Sequence, residues 1–186
     1  MPREPGGGEG QGSGKKKRAR APRPSPSQLS PEDRLDGARE AALRLLSHRE
    51  RSRMDLRSRL ARKGYDPETI IRVLDQLGES GLQSDERFAE LFADEAKRSR
   101  GLSSFALQGE LRRRGVEQDV AAEAATEAPE EEEERARELA QRRAARLAGL
   151  PLEVRNRRLL SYLARRGYSH ELCARLVQET AESPLP

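Results

Sequence analysis

The sequence is poor in the residues that build enzyme centres and metal sites. Its 186 residues include one cysteine, two histidines and no tryptophan, with three Phe and three Tyr. The single cysteine, Cys173, excludes an intramolecular disulfide, and so few Cys and His side chains exclude a Cys/His zinc site. No Gly-rich loop precedes a Lys-Ser or Lys-Thr pair, so a nucleotide phosphate loop is not expected. We therefore predict a protein that is not an enzyme and that uses no cofactor and no metal.

Long hydrophobic runs and strand-like patterns are also absent. The sequence contains no apolar stretch of about 18 residues, the length that spans a bilayer, and no apolar run near its N-terminus that resembles a secretory signal. Alternating β-branched residues, which are typical of strands, do not occur. Leu and Ala supply most of the apolar residues, and a lone cysteine fits a reducing compartment. These features indicate a cytoplasmic, all-α protein with no membrane partner.

One pattern of leucines and a glycine recurs at intervals of 51 and 52 residues. Each copy carries Leu eight and four residues before the glycine, a Lys or Arg directly before it and an apolar residue after it. The glycines are Gly64, Gly115 and Gly167. Leucines four apart lie on one helix face, a basic residue suits the negative end of the helix dipole, and a left-handed glycine stops the helix. Each copy therefore predicts a helix that ends at its glycine, with positive φ in at least two of them.

A further helix is predicted on each side of the repeated pattern. Asp66 and Ser169 can cap the helices that follow the first and third glycines, and Pro67 suits a first helical turn. A repeat of this length is typical of stacked supersecondary units. We predict an all-α fold, an elongated array of three tandem three-helix repeats with about nine helices and a disordered basic N-terminal tail. In the second repeat, Phe88, Leu91 and Phe92 have helical spacing and are expected to form a core between repeats.

The predicted boundaries follow changes in composition along the chain. The first segment is rich in Gly, Pro, Lys and Arg, and it has too few apolar residues to offset the entropy of ordering. The segments are a disordered tail over 1–35, repeats over 36–81, 82–128 and 129–180, and a flexible C-terminus over 181–186.

Positive charge is concentrated in three parts of the chain, although the net charge is only +4. Residues 1–30 hold seven Lys or Arg, residues 49–63 hold seven, and residues 135–166 hold ten Arg, against two acids in each segment. Such stripes are either solvated helix faces or surfaces for an anionic partner. The candidate partner-binding residues are Arg51, Arg53, Arg57, Arg59, Arg157, Arg158 and Arg165. The candidate nucleic-acid contacts in the tail are Lys15, Lys16, Lys17, Arg18 and Arg20.

Three stretches, at residues 42–53, 81–89 and 165–169, resemble the RecX family, which regulates the bacterial RecA recombinase. The resemblance covers about residues 38–180 and implies tandem three-helix units. It also implies a non-enzymatic regulator in recombination and DNA repair, which binds the RecA–DNA filament in its groove and restrains strand exchange and ATP hydrolysis. Ser84 replaces an acidic residue common in the family, and neither the basic tail nor the run Glu130–Glu134 is typical of it.

Two functions therefore stay open from the sequence. The first is a monomeric regulator that binds a RecA filament. The second is a helical protein that binds single- or double-stranded DNA directly through its basic tail and arginine stripes. Direct binding to phosphates should weaken steeply as salt rises, with or without RecA.

Overall fold

A computed structural model describes residues 25–182, which form nine α-helices and one short 3-10 helix with no strand. The 3-10 helix spans Pro26–Gln28. The α-helices are α1 (Pro31–Leu46), α2 (Arg53–Arg62), α3 (Pro67–Glu79), α4 (Asp85–Arg100), α5 (Ser104–Arg113), α6 (Gln118–Ala125), α7 (Pro129–Ala145), α8 (Leu152–Ala164) and α9 (His170–Glu182). The expected tail falls mostly on residues 1–24, which lie outside the described residues, as do 183–186. No described helix is both long and apolar enough to cross a bilayer.

The helices form three consecutive three-helix repeats, as the sequence pattern predicts. Repeat 1 comprises α1–α3, repeat 2 comprises α4–α6 and repeat 3 comprises α7–α9, and the most extensive helix packing lies within each repeat. Fully buried leucines of the middle helices, such as Leu56 and Leu159, lie in the cores of repeats 1 and 3. The core of repeat 2 is built largely from alanines around Leu107 and Leu111.

The predicted boundaries need two corrections at the ends of the array. The tail does not extend to residue 35, because α1 begins at Pro31. Ser30 caps this helix by accepting the N–H of Asp33 at 3.1 Å, and proline is favoured in a first turn because it has no N–H to leave unpaired. At the other end, α9 continues to Glu182, beyond the predicted limit at 180.

The glycine stops are confirmed at all three positions. Gly64, Gly115 and Gly167 have φ values of 90°, 81° and 88°. The predicted cap of α3 is present, since Asp66 accepts the Thr69 N–H at 2.9 Å. Ser169 likewise accepts the Leu172 N–H at 3.2 Å at the start of α9.

The second and third glycine stops join one repeat to the next, which the sequence pattern did not predict. The Ser52 hydroxyl at the start of α2 donates to the Arg114 carbonyl at 2.8 Å, and the Ser103 N–H at the start of α5 donates to the Arg166 carbonyl at 2.9 Å. A Cβ on Gly115 would lie 2.5 Å from the Met54 Cβ, so a side chain there would collide. The beginnings of α2 and α5 therefore rest on the glycine stop of the following repeat.

The 3-10 helix lies at the first glycine stop, which has no preceding repeat among the described residues. A Cβ on Gly64 would be 3.5 Å from the Pro26 Cδ. Arg34 holds the segment, because its Nε and Nη2 donate to the carbonyls of Pro26 and Leu29 at 3.1 and 3.2 Å. Its Nη1 also pairs with Asp66 at 3.2 Å. The 3-10 helix thus covers the surface where another repeat would dock.

The expectation for the aromatic residues of repeat 2 was partly wrong. Phe88 and Phe92 stack within this repeat, with ring centroids 5.9 Å apart, whereas Leu91 is 55% exposed. The Phe92 ring carries the guanidiniums of Arg114 and Arg100, at 4.2 and 5.2 Å from its centroid. Phe92 therefore lies under charged side chains at the edge of the repeat rather than in a core between repeats.

Candidate functional site

Arg51, at the entrance to α2, is engaged inside the fold. Its residue surface is only 8% exposed. Its Nε donates to the Leu45 carbonyl at 3.1 Å, and its Nη1 donates to Asp55 at 2.8 Å. This geometry ties α1 to α2 and corrects the expectation that Arg51 presents its charge to a partner.

Two other candidates from the first stripe also have carboxylate partners. Arg59 Nε lies 2.9 and 2.8 Å from the two oxygens of Asp55, and Arg53 pairs with Asp75 at 2.5 Å. Burial raises the pKa of Asp55, but hydrogen bonds from Arg59 and Arg51 outweigh it, so the pKa lies below its ordinary value. Arg57 is exposed and forms no ion pair with any described residue. Repeat 1 therefore offers only one isolated guanidinium from the predicted set.

The structure brings Arg157 and Arg158 of α8 together with Arg165, which directly follows that helix, at one concave surface. Arg157, Arg158 and Arg165 line a depression of about 380 Å³, together with Ser161 and with Arg143 of α7. Within residues 25–182 none of these four arginines forms an ion pair, although neighbouring arginines such as Arg142 do. We call these five residues the arginine cluster. It places four guanidiniums without a carboxylate partner among the described residues around one depression.

The cores of α7 and α8 fix the orientation of the arginine cluster. Leu159 and Leu163 are fully buried in the core of repeat 3, whereas Arg157, Arg158 and Arg165 are exposed. The Tyr162 ring carries two guanidiniums, with Arg166 at 3.6 Å and Arg143 at 5.2 Å from its centroid. Such cation–π contacts favour a defined position for a guanidinium. Tyr162 thus helps to hold Arg143 beside α8.

Arg143 was missed from the sequence because α7 is rich in arginine. Arg142 and Arg143 are adjacent, and they differ only in the face of α7 on which each side chain lies. Arg142 turns outward and pairs with Glu138 at 3.1 Å. The buried alanines Ala140 and Ala144 mark the inner face of α7. Because Arg143 directly precedes Ala144, its place beside that face could have been inferred from the sequence.

The acidic run at the start of α7 has a structural role in the described region. Glu133 accepts hydrogen bonds from Arg137 at 2.8 Å and from Arg175 of α9 at 2.6 Å. The hydrogen bonds that Arg137 donates to Glu134, Glu179 and Glu133 raise its pKa above the ordinary value. These contacts join α7 to α9.

The remaining residues that the sequence analysis singled out lie away from this cluster or outside the described residues. Cys173 is buried, and burial raises the pKa of its thiol. Among the described residues, no group of three or more His, Cys, Asp or Glu side chains could hold a metal ion. The tail candidates from Lys15 to Arg20 lie outside the described residues.

Fold and surface together define an array of three-helix repeats with a cationic end. Family models for the first, second and third three-helix domains of RecX match residues 38–77, 84–124 and 130–177. The chain therefore belongs to the RecX family, a family of regulatory proteins, as the resemblance implied.

Individual relatives agree with this assignment. The chain is 44% identical to the regulatory protein RecX of Thermobifida fusca over 155 residues, which is 83% of this chain and 84% of that protein. It is 43% identical to the regulatory protein RecX of Amycolatopsis mediterranei over 82% of this chain and 88% of that protein. A crystal structure of RecX from Lactobacillus salivarius shares the fold with a TM-score of 0.69 at 19% identity, covering 81% of this chain and 98% of that one.

Proposed function

We propose that this protein regulates the RecA recombinase by binding the RecA–DNA filament, where it restrains strand exchange and ATP hydrolysis. Membership of a family of regulatory proteins named RecX supports this role. The observation that carries the proposal is the arginine cluster, four guanidiniums without a carboxylate partner among the described residues. In this proposal the protein acts in the cytoplasm, as a monomer and without catalysing a reaction.

The proposed contact residues differ in whether they already form an ion pair within the protein. Arg51, Arg53 and Arg59 satisfy carboxylates of repeat 1, so their replacement would disturb the fold as well as any contact. Arg157, Arg158 and Arg165 have no such partner in residues 25–182, and Arg57 stays a second candidate contact. Guanidiniums bind phosphates and carboxylates in a planar, two-pronged geometry, and a protein–DNA filament presents both groups.

Direct nucleic-acid binding is the second candidate function. The arginine cluster favours it as well, because its lining contains guanidiniums and one hydroxyl and no carboxylate. The two functions differ in their dependence on RecA. A protein that acts only through DNA would bind bare single strands as tightly as it binds filaments, and its affinity for both would fall steeply with salt.

The proposed function is tested by ATP hydrolysis on preformed RecA filaments. Arg157→Glu/Arg158→Glu should strongly weaken the restraint of hydrolysis, with helix content unchanged because both residues are exposed. The matched control is Arg112→Glu/Arg113→Glu, which makes the same change of charge on exposed residues of α5. Equal restraint by the wild type and both variants would place the filament contact outside α8.

A further inference from the structure

The two junctions between repeats are built differently, and the loop before each middle helix shows the difference. In repeat 2 this loop comprises residues 100–103, and every one of them hydrogen-bonds to repeat 3. The bonds run from Arg166 Nε to the Arg100 carbonyl at 2.8 Å, from the Tyr168 hydroxyl to the Gly101 carbonyl at 3.1 Å, from Arg135 Nη2 to the Leu102 carbonyl at 3.2 Å, and from the Ser103 N–H to the Arg166 carbonyl at 2.9 Å. The loop is therefore held by α7 and by the turn between α8 and α9.

The equivalent loop of repeat 1 lacks most of these bonds. Alignment on Leu56 and Leu107 places this loop at residues 49–52. Within the described residues, no carbonyl of 49–51 accepts a hydrogen bond from repeat 2, and the Ser52 hydroxyl alone reaches a backbone atom there, the Arg114 carbonyl at 2.8 Å. Repeat 2 thus grips the loop before it much less firmly than repeat 3 does.

Two differences in sequence account for the missing bonds. The residue after the glycine stop is Tyr168 in repeat 3 but Val116 in repeat 2. The residue before the first buried alanine of the leading helix is Arg135 in α7 but Phe88 in α4. Neither a Val nor a Phe side chain has a hydrogen-bond donor, so repeat 2 cannot hold the backbone of repeat 1 in the same way.

A buried ion pair further strengthens the junction between repeats 2 and 3. Arg135 also pairs with Glu127 in the link between α6 and α7, and these side chains are only 16% and 9% exposed. Lys97 of α4 lies 3.7 Å from the same carboxylate, so Glu127 binds cations of both repeats. The ion pair between repeats 1 and 2, Arg87 with Glu50, is more open at 44% and 26%. A buried pair is costly to break, whereas an exposed pair contributes little.

We propose that repeats 2 and 3 form one rigid body and that the array bends at the junction between repeats 1 and 2. Glu127, Arg135 and Tyr168 are the residues that prevent bending at the other junction. At the flexible junction few contacts remain, among them a hydrogen bond from the Arg53 N–H to Asp85 at 2.7 Å. Weakly held segments of this kind are where hinge motions occur. The bending does not rest on the proposed function and is measured without RecA.

Distances between spin labels across the two junctions test the proposal on the full-length protein. Ala61, Arg112 and Ala164 are equivalent exposed positions, each directly after the second leucine of its pattern. Ala61→Cys/Arg112→Cys and Arg112→Cys/Ala164→Cys are labelled with nitroxides in a Cys173→Ala background, which removes the buried native thiol. The pair at 61 and 112 should give the broader distribution of distances. Equal widths, or a broader distribution for the pair at 112 and 164, would overturn the proposal.

Removal of the donors that hold repeat 2 supplies the second measurement. Arg135→Met/Tyr168→Phe deletes the bonds to the Leu102 and Gly101 carbonyls and should broaden the distribution between positions 112 and 164. The matched control is Arg137→Met, also on α7, whose carboxylate partners all lie in repeat 3, and it should leave this distribution unchanged.

The single variant Tyr168→Phe covers the case in which the double variant loses helix content. Its ring stays in the core of repeat 3 and only the hydroxyl is removed, so the fold should persist while the distribution broadens. An unchanged distribution in a folded variant that lacks these donors would show that other contacts make repeats 2 and 3 rigid, and the assignment of Arg135 and Tyr168 would be overturned.

Discussion

At the scale of single residues, the glycine of repeats 2 and 3 both ends a helix and contacts the preceding repeat, and only the first role is predictable from the sequence. Its positive φ was predictable because helix termination depends on neighbouring residues alone. Its contact with the preceding repeat was not, because the partner atoms of Met54 and Ala106 lie far away in sequence. Arg51 shows the same limit, since nothing in its own stripe indicates that the Leu45 carbonyl will accept its Nε.

Substitution of these glycines by alanine should separate the cost of positive φ from the cost of losing contact with the preceding repeat. Each change places a side chain at positive φ, which costs about 1 kcal/mol. Gly64→Ala should cost little more, since its new Cβ would lie 3.5 Å from Pro26. Gly115→Ala and Gly167→Ala should lose more stability, because their Cβ atoms would lie 2.5 Å from Met54 and from Ser103. Urea denaturation measures the differences, and three equal losses would contradict the docking role.

The Asp66 carboxylate should make repeat 1 sensitive to acid. Hydrogen bonds from the backbone and side chain of Thr69 lower its pKa to about 2. Because this pKa is depressed in the folded state, the stabilisation is present above the ordinary pKa of about 3.9 and is lost as pH falls towards 2. Asp66→Asn can still cap α3 but cannot titrate. Between pH 5 and pH 2, melting temperature should fall more steeply for the wild type than for this variant, and parallel curves would be the contrary result.

At the scale of elements, the nine helices were accessible from the sequence because leucine spacing, caps and glycine stops are local signals. The start of α1 was not, since Ser30 and Pro31 follow a segment whose composition resembles a tail. The 3-10 helix before it was missed for a related reason. Its position depends on the long side chain of Arg34, which reaches back to Pro26 and across to Asp66.

Removal of the Arg34 side chain should release the 3-10 helix from the first glycine stop. Arg34→Ala deletes three contacts that hold the segment, whereas the control Arg44→Ala deletes only an exposed ion pair with Glu40 on the same helix. Hydrogen exchange should become faster at the amides of Gln28 and Leu29, which are bonded at 2.9 and 3.2 Å in the wild type. Unchanged exchange at both amides would show that another contact holds the segment.

At the scale of the whole molecule, the array has two unlike ends. Pro26 and Arg34 close the first, where a repeat could otherwise dock on Gly64. The last carries the arginine cluster, with no further repeat beyond it in the described part of the chain. The sequence predicted three members of this cluster but could not bring them together or add Arg143, because their meeting depends on how α7 packs against α8. The central claim is that this end contacts the RecA–DNA filament.

Site-directed crosslinking to preformed RecA filaments tests this claim most directly. Ser161 lies in the arginine cluster, and Ser58 is the equivalent position two residues after the first leucine of α2. Each serine is replaced in turn, Ser161→Cys or Ser58→Cys, and labelled with a benzophenone, while the native Cys173 is buried. Crosslinks from residue 161 to RecA or its DNA, exceeding those from residue 58, are the predicted result. Crosslinks from residue 58 with none from residue 161 would contradict the account.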